Sequence, residues 1–204
     1  MERRGLMLVL SAPSGTGKSS VTAAILSADP RIAPSVSATT RPPRPGERDG
    51  ADYHFVSAEG FADAADAGGF LETATVFGNR YGTPAGPVRA ALAAGGDVLL
   101  DVDWQGLRQL ASTCPRGDIV SVFILPPSLT ELDRRLRARG TDSPETIARR
   151  MAEARDQISH CVEYDHVVVN ADLDECVASV RAILAAERTR RARLAGLERF
   201  VAAL

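Results

Sequence analysis

The chain has 204 residues, 45% of them apolar and 25% charged, which suits a globular protein with one sizeable core and room for small inserted lobes. Its net charge of −2 and pI of about 5.9 argue against broad binding to nucleic acid or to a membrane surface, since both call for a basic excess. Cys114, Cys161 and Cys176 lie far apart with no CxxC pair, and His54, His160 and His166 have no metal-ligand spacing. The expectation is therefore a protein of the reducing cytoplasm without a disulfide framework or a zinc site.

The first element is the apolar run at 6–10, read as a strand buried on both faces. Arg3 and Arg4 before it imitate the start of a secretory signal, but the run is too short for one. The stretch SAPSGTGKSS at 11–20 follows at once, and an amphipathic helix is expected from 21. Strand, glycine loop and helix in this order form a P-loop, where successive backbone N–H groups and a helix N-terminus wrap a polyphosphate. Residues Ala12, Pro13, Ser14, Gly15, Thr16, Gly17, Lys18, Ser19 and Ser20 form the candidate ATP-binding loop. Gly15 and Gly17 let the backbone turn, Lys18 reaches the β- and γ-phosphates, and Ser19 offers a hydroxyl to Mg²⁺. The pattern expects Gly where Ala12 stands, and alanine fits if its φ is negative. Lys18 is the only lysine among 24 Lys and Arg, placed where a compact ammonium on a flexible stem is wanted.

Residues 37–84 break the helix–strand alternation. The segment 39–50 is turn-rich and basic, β-like pieces such as 52–56 follow, and a helix is expected near 61–67. This reads as a small β-rich inserted lobe. A helix over 85–94 ends at Gly95-Gly96. Strands at 98–102, 119–125 and 167–169 complete a mostly parallel sheet covered by helices. Between the last two, Leu129, Leu132 and Leu136 recur at helical spacing on a helix carrying Arg134, Arg135, Arg137 and Arg139. Gly140 ends that helix, and Ser143-Pro144 starts another that carries Arg149, Arg150 and Arg155. Two arginine-studded helices joined by a turn suggest a flap. Residues 173–204 read as a helix or helix pair whose charges at 187–191 form most simply a solvated face, with a partner-binding tail as the alternative.

A P-loop implies a nucleoside triphosphate and no more. Phosphoryl transfer is mainly positioning plus cationic stabilisation, so a kinase also needs a second phosphate site and a way to exclude water. Arg41 and Arg44 suit bidentate phosphate binding, Tyr53 and Tyr81 add hydroxyl donors, and the flap arginines can close over the transferred group. Asp101 and Asp103 stand at the C-terminal end of a core strand, where ligands bind open α/β sheets. Asp101 suits Mg²⁺, directly or through water. Asp103 has a competing role as the cap of the helix starting near Trp104.

The segments SVSATTR at 35–41, RPGE at 44–47, DYHFV at 52–56 and FLE at 70–72 together resemble guanylate kinase. So do GNRYGT at 78–83, LDVDWQG at 100–106 and RLRARG at 135–140. The resemblance spans about residues 5–187 in order. It implies an α/β fold: a three-layer P-loop NTPase core (1–36, 85–127 and 160–204), a GMP-binding lobe (37–84) and a helical lid (128–159). It implies transfer of the γ-phosphoryl of MgATP to GMP or dGMP, with Mg²⁺ held at Ser19 and Asp101. By the same resemblance Arg41, Arg44, Tyr53 and Tyr81 hold the GMP phosphate, and Ser37, Glu72, Thr83 and Asp103 read the guanine. Asp101 sits beside GMP and the metal. Arg135, Arg139 and Arg150 act with Lys18 and Arg41 on the transferring phosphate. Asn170 matches a position near the adenine, with a turn cap as its alternative.

The guanine assignment also makes chemical sense. Glu72 can accept from both N1–H and N2–H₂ of guanine, and the Ser37 hydroxyl can donate to O6. Adenine has neither donor and would leave the carboxylate unpaired, a difference able to support discrimination on the order of 10⁴-fold. Three other readings compete: a P-loop kinase for another small acceptor, an interaction module of this fold, and a nucleic-acid-dependent ATPase. Oligomeric state is not legible in the sequence.

Overall fold

The computed structural model describes residues 2–138, 140 and 142–204. The chain runs through β1 (Met7–Ser11), α1 (Lys18–Ala28), β2 (Ile32–Pro34), β3 (Ala38–Thr39), β4 (His54–Phe55), α2 (Ala58–Asp66), β5 (Phe70–Val76) and β6 (Asn79–Pro84). It continues with α3 (Ala85–Ala93), β7 (Asp97–Asp101), α4 (Trp104–Thr113), β8 (Ile119–Leu125), α5 (Leu129–Ala138), α6 (Pro144–Ser159), β9 (His166–Val169), α7 (Leu173–Arg188) and α8 (Leu197–Ala202).

The central sheet has the order β2-β7-β1-β8-β9, and every pairing in it is parallel. All five residues of β1 are buried. Its alternate side chains supply two different cores. Leu8 and Leu10 pack with Val122 and Ile124 against Val21 and Ile25 of α1 and Val180 and Leu184 of α7. Met7 and Val9 pack with Leu100 and Phe123 against Val88 and Leu92 of α3 and Leu107 and Leu110 of α4. The result is a three-layer α/β fold with helices on both faces, which is why these strands read as continuous apolar runs. The four expected strands are present. The edge strand β2 escaped the sequence pattern because it has three residues and buries only Ile32.

A second sheet, ordered β4-β3-β6-β5, holds residues 38–84. Its β3–β4 pair is parallel and its other pairs are antiparallel. Helix α2 starts earlier than expected because the Ser57 hydroxyl accepts from Gly60 N at 3.0 Å and caps it. Helices α5 and α6 share a small apolar core of Leu132, Leu136, Ile147 and Ala154. The Ser143 cap forms as expected, accepting from Thr146 N at 3.3 Å.

The tail corrects one expectation in part. Within 187–191, Thr189, Arg190 and Arg191 are exposed as a solvated face requires, but Arg188 is 8% exposed and, just beyond them, Arg193 is 5% exposed. Arg188 Nε donates to Asp97 at 2.6 Å, and another of its nitrogens pairs with Asp29. Asp97 also accepts from Arg3 at 2.7 and 2.9 Å and from Leu6 N at 3.0 Å. A buried Asp97 needs countercharge, and the tail and the N-terminus supply it from opposite ends of the chain. The segment is an ion-paired staple. No helix among the described residues is long and apolar enough to cross a membrane.

Candidate active site

The phosphate loop leaves the buried end of β1 and enters α1. Gly15 and Gly17 adopt φ of +93° and +100°, left-handed values that favour glycine. Space demands glycine at 17 as well: a Cβ there would meet Asn170 Nδ2 at 2.6 Å. Ala12 is absent from the positive-φ residues, so alanine is accommodated in place of the expected glycine. Gly17 caps α1 without a side-chain hydrogen bond; Ser20 N donates to Gly17 O, and the Lys18 and Ser19 N–H groups are left available to an anion. A cavity of about 410 Å³ opens here, lined by the loop, Lys18, Ser19, Asp101, Val102 and Asp103. Gln157 of α6 closes its far side.

Lys18 pairs with Asp101 across this cavity. Burial pulls the Lys18 ammonium down to about 8, with Asp103 acting against that shift. Asp103 Oδ1 caps α4, accepting from Gln105 N and Gly106 N at 3.0 Å each. The capping role considered from the sequence is thus filled, and it fixes this carboxylate at the cavity edge.

The residues behind the loop do several jobs. Asn170 Nδ2 donates to Thr16 O at 2.7 Å, so this buried side chain braces the loop. Arg135 donates to the main-chain oxygens of Thr16 and Asn170 at 3.3 and 3.1 Å and pairs with Glu131 at 2.8 Å. It ties α5 to the loop rather than pointing into the cavity. Thr16 is fully buried and its N–H donates to Pro13 O, so its contribution is to loop shape. Arg150 reaches Ser14 Oγ at 3.4 Å and pairs with Asp142 at 2.8 Å, bringing α6 over the loop. Arg139 lies outside the described residues. Ser20 sits on the exposed side of α1.

On the second sheet, Arg41, Tyr53 and Tyr81 come together. The Arg41 guanidinium lies 5.2 Å from the Tyr53 ring centroid, and the two tyrosine rings are 6.0 Å apart, edge to face. Glu47 grips Arg41 with bonds of 2.8 and 2.9 Å and accepts from Arg44 N at 2.7 Å. The Arg41 bonds, with the Arg44 N–H behind them, hold the Glu47 carboxyl down to about 2. Glu72 is 7% exposed and accepts from Thr83 Oγ1 at 2.6 Å through Oε1. Among the described residues Oε2 has no such donor, and a Cβ on Gly106 of α4 would come within 3.4 Å of it. Burial raises the Glu72 carboxyl above the ordinary range; the Thr83 hydrogen bond opposes this and Asp103 adds to it. Ser37 stands half-buried just before β3. Asp103 therefore acts electrostatically on both Lys18 and Glu72, linking the phosphate cavity to the carboxylate pocket.

This site can be compared with known proteins. A family model described as guanylate kinase matches residues 4–187. The chain belongs to the guanylate kinase family. It is 57% identical over 204 residues to a guanylate kinase of Paramagnetospirillum magneticum, covering 100% of this chain and 95% of that one. It is 56% identical over 199 residues to one from Rhodospirillum rubrum, covering 98% and 91%. The crystal structure of guanylate kinase from Anaplasma phagocytophilum superposes with a TM-score of 0.79 at 38% identity, covering 98% and 95%.

Four contributors are not legible in the sequence. Glu47 sits inside the RPGE segment, where nothing local marks it as the partner of Arg41. Gln157 had no local signal on its amphipathic helix. Gln109 of α4 clamps the Thr73 main chain in both directions at 2.9 Å, and Thr113 Oγ1 donates to Leu71 O at 3.0 Å. Glu72 is thus pinned from both sides by a helix distant in sequence.

Proposed function

We propose that the protein transfers the γ-phosphoryl group of MgATP to GMP, and to dGMP, giving ADP and GDP in cytoplasmic purine nucleotide metabolism and GMP recycling. The observation that carries this is Glu72: a buried carboxylate with one oxygen taken by Thr83 and the other open, electrostatically coupled through Asp103 to the phosphate loop. Such a carboxylate suits the paired N–H donors of guanine.

In this reading residues 12–20 hold the ATP phosphates, and Lys18 leaves Asp101 to meet them. Ser19 and Asp101 offer the hard oxygen donors Mg²⁺ prefers, and both line the same cavity. Mg²⁺, held at Ser19 and at Asp101 directly or through water, would neutralise charge building on the phosphates. Arg41, Arg44, Tyr53 and Tyr81 hold the GMP phosphate, while Ser37, Glu72, Thr83 and Asp103 orient the guanine. Arg135, Arg139 and Arg150 belong to a lid over 128–159 that closes on the transferring group, and closure also excludes water as acceptor. Arg135 would exchange its carbonyl partners for phosphate at that point. Asn170 supports the loop beneath the nucleotide. Residues 37–84 act as the GMP lobe, and the remaining segments form the core.

The test is a coupled assay of ADP release with MgATP and, in parallel, GMP, dGMP, AMP, UMP and CMP. Strong turnover with GMP, weaker turnover with dGMP and negligible turnover with the others is expected. Turnover with another acceptor alone would replace this reading by a different P-loop kinase. Retained ATP binding without any turnover would make the protein an interaction module.

A further inference from the structure

A cavity of about 540 Å³ lies at the opposite end of the central sheet from the phosphate loop. Ile119 and His166, the first residues of β8 and β9, line its floor, and the tail after α7 forms a wall. Its volume is within the roughly 300–1,000 Å³ of small-molecule sites. It belongs to none of the residues assigned above.

The charges around it do not balance. Four guanidinium groups, from Arg4, Arg116, Arg190 and Arg193, face three carboxylates, from Asp118, Asp165 and Glu187. Two of those carboxylates are already engaged. Asp118 holds Arg4 through two bonds of 2.6 Å. Asp165 pairs with Arg116 and accepts from Ser121 N and Oγ at 2.9 and 2.8 Å. Glu187 alone is left to serve both Arg190 and Arg193, at 3.2 and 3.3 Å.

Arg193 is the anomaly. Its residue is 5% exposed, yet Nε and Nη1 make no hydrogen bond among the described residues. A guanidinium buried with two nitrogens unpartnered carries a real desolvation cost. Those two nitrogens are closed off from the cavity, so Arg193 acts on it through its charge, which Glu187, shared with Arg190, only half balances. Guanidinium forks fit the oxygens of phosphate and carboxylate alike.

We propose that this cavity binds a small oxyanion-bearing molecule, a phosphate or a carboxylate, through Arg193 and Arg190. Both arginines lie beyond residue 187, where the family model's match ends. The tail thus supplies the binding arginines while the core supplies the floor, at the opposite end of the sheet from the phosphate loop.

The experiment is a titration of the ¹⁵N-labelled full chain with inorganic phosphate and, separately, with citrate, at constant ionic strength set by sodium chloride. Saturable shifts are expected at the amides of Gly117, Val120 and Ala192, read separately from any shifts at residues 15–19 that report the phosphate loop. Saturation by phosphate alone, or by citrate alone, assigns the ligand class. Arg190→Gln should weaken binding about tenfold, and Arg193→Gln should abolish it. If Arg193→Gln does not fold, the Arg190→Gln titration decides alone. Shifts that chloride reproduces, that fail to saturate, or that persist unchanged in the variants overturn the proposal.

Discussion

The phosphate loop leaves a strand in which every residue is buried, whereas the Arg41 cluster rests beside strands of two residues each. The loop's geometry is held by backbone: positive φ at two glycines, the start of α1, and Asn170 and Arg135 bonded to its carbonyls. The Arg41 cluster is held by side chains, chiefly Glu47 and the aromatic rings. A cavity framed by a parallel core exists before its ligand arrives. A cluster framed by ion pairs depends on its carboxylate, here Glu47, to hold the guanidinium in place.

Mutations can break this comparison. The largest effect is expected for Lys18→Ala, which removes the loop's one ammonium: turnover should fall on the order of 10²–10³-fold while the denaturation midpoint holds. Wild-type turnover in that variant would remove the phosphate-loop assignment. Next comes Glu72→Gln, where steady-state kinetics should show GMP selectivity over AMP falling roughly 10–100-fold, the loss of hydrogen bonds to a charged acceptor. ATP binding should barely change, and unchanged selectivity would return Glu72 to a structural role.

Smaller effects sharpen the contrast. Asn170→Ala takes away the brace on Thr16 O and should cost about 1–2 kcal/mol in ATP affinity measured by calorimetry. If the loop holds without it, only overall stability will move. Glu47→Gln should raise the GMP KM about threefold, the scale of a partly exposed ion pair, and leave the ATP KM alone. An equal rise in both would show that the two halves of the site are not separable.

A pH series gives the finest test. The raised Glu72 carboxyl means that the unliganded fold is favoured by protonation there, a contribution present at acid pH and lost as pH rises through the folded value. GMP binding needs the ionised form and carries the opposite sign. The GMP KM should therefore climb as pH falls through the upper carboxylate range, before the ATP KM does, and Glu72→Gln should flatten the profile. Lys18, brought to about 8 by burial, predicts proton uptake on MgATP binding at pH 8.5, measurable as a buffer-dependent heat.

The sequence determined what neighbouring residues can settle among themselves. The phosphate loop is legible because its strand, glycines, lysine and helix start are contiguous, and each has a local physical requirement. The buried strands announced themselves as apolar runs, and the Ser143 cap and its proline marked where α6 begins. The resemblance carried by segments such as SVSATTR and LDVDWQG points to the family from the sequence alone.

The tertiary structure decided which groups face each other. Lys18 meets Asp101, 83 positions away, because β1 and β7 are adjacent and parallel. Glu47 locks Arg41, Gln109 clamps the strand that carries Glu72, and Asn170 reaches back 154 residues to Thr16. Arg188 looked like surface charge because nothing near it in sequence shows that Asp97 is buried without enough countercharge. Partner choice for a charge depends on burial and distance across the fold, and neither is a local property of the chain.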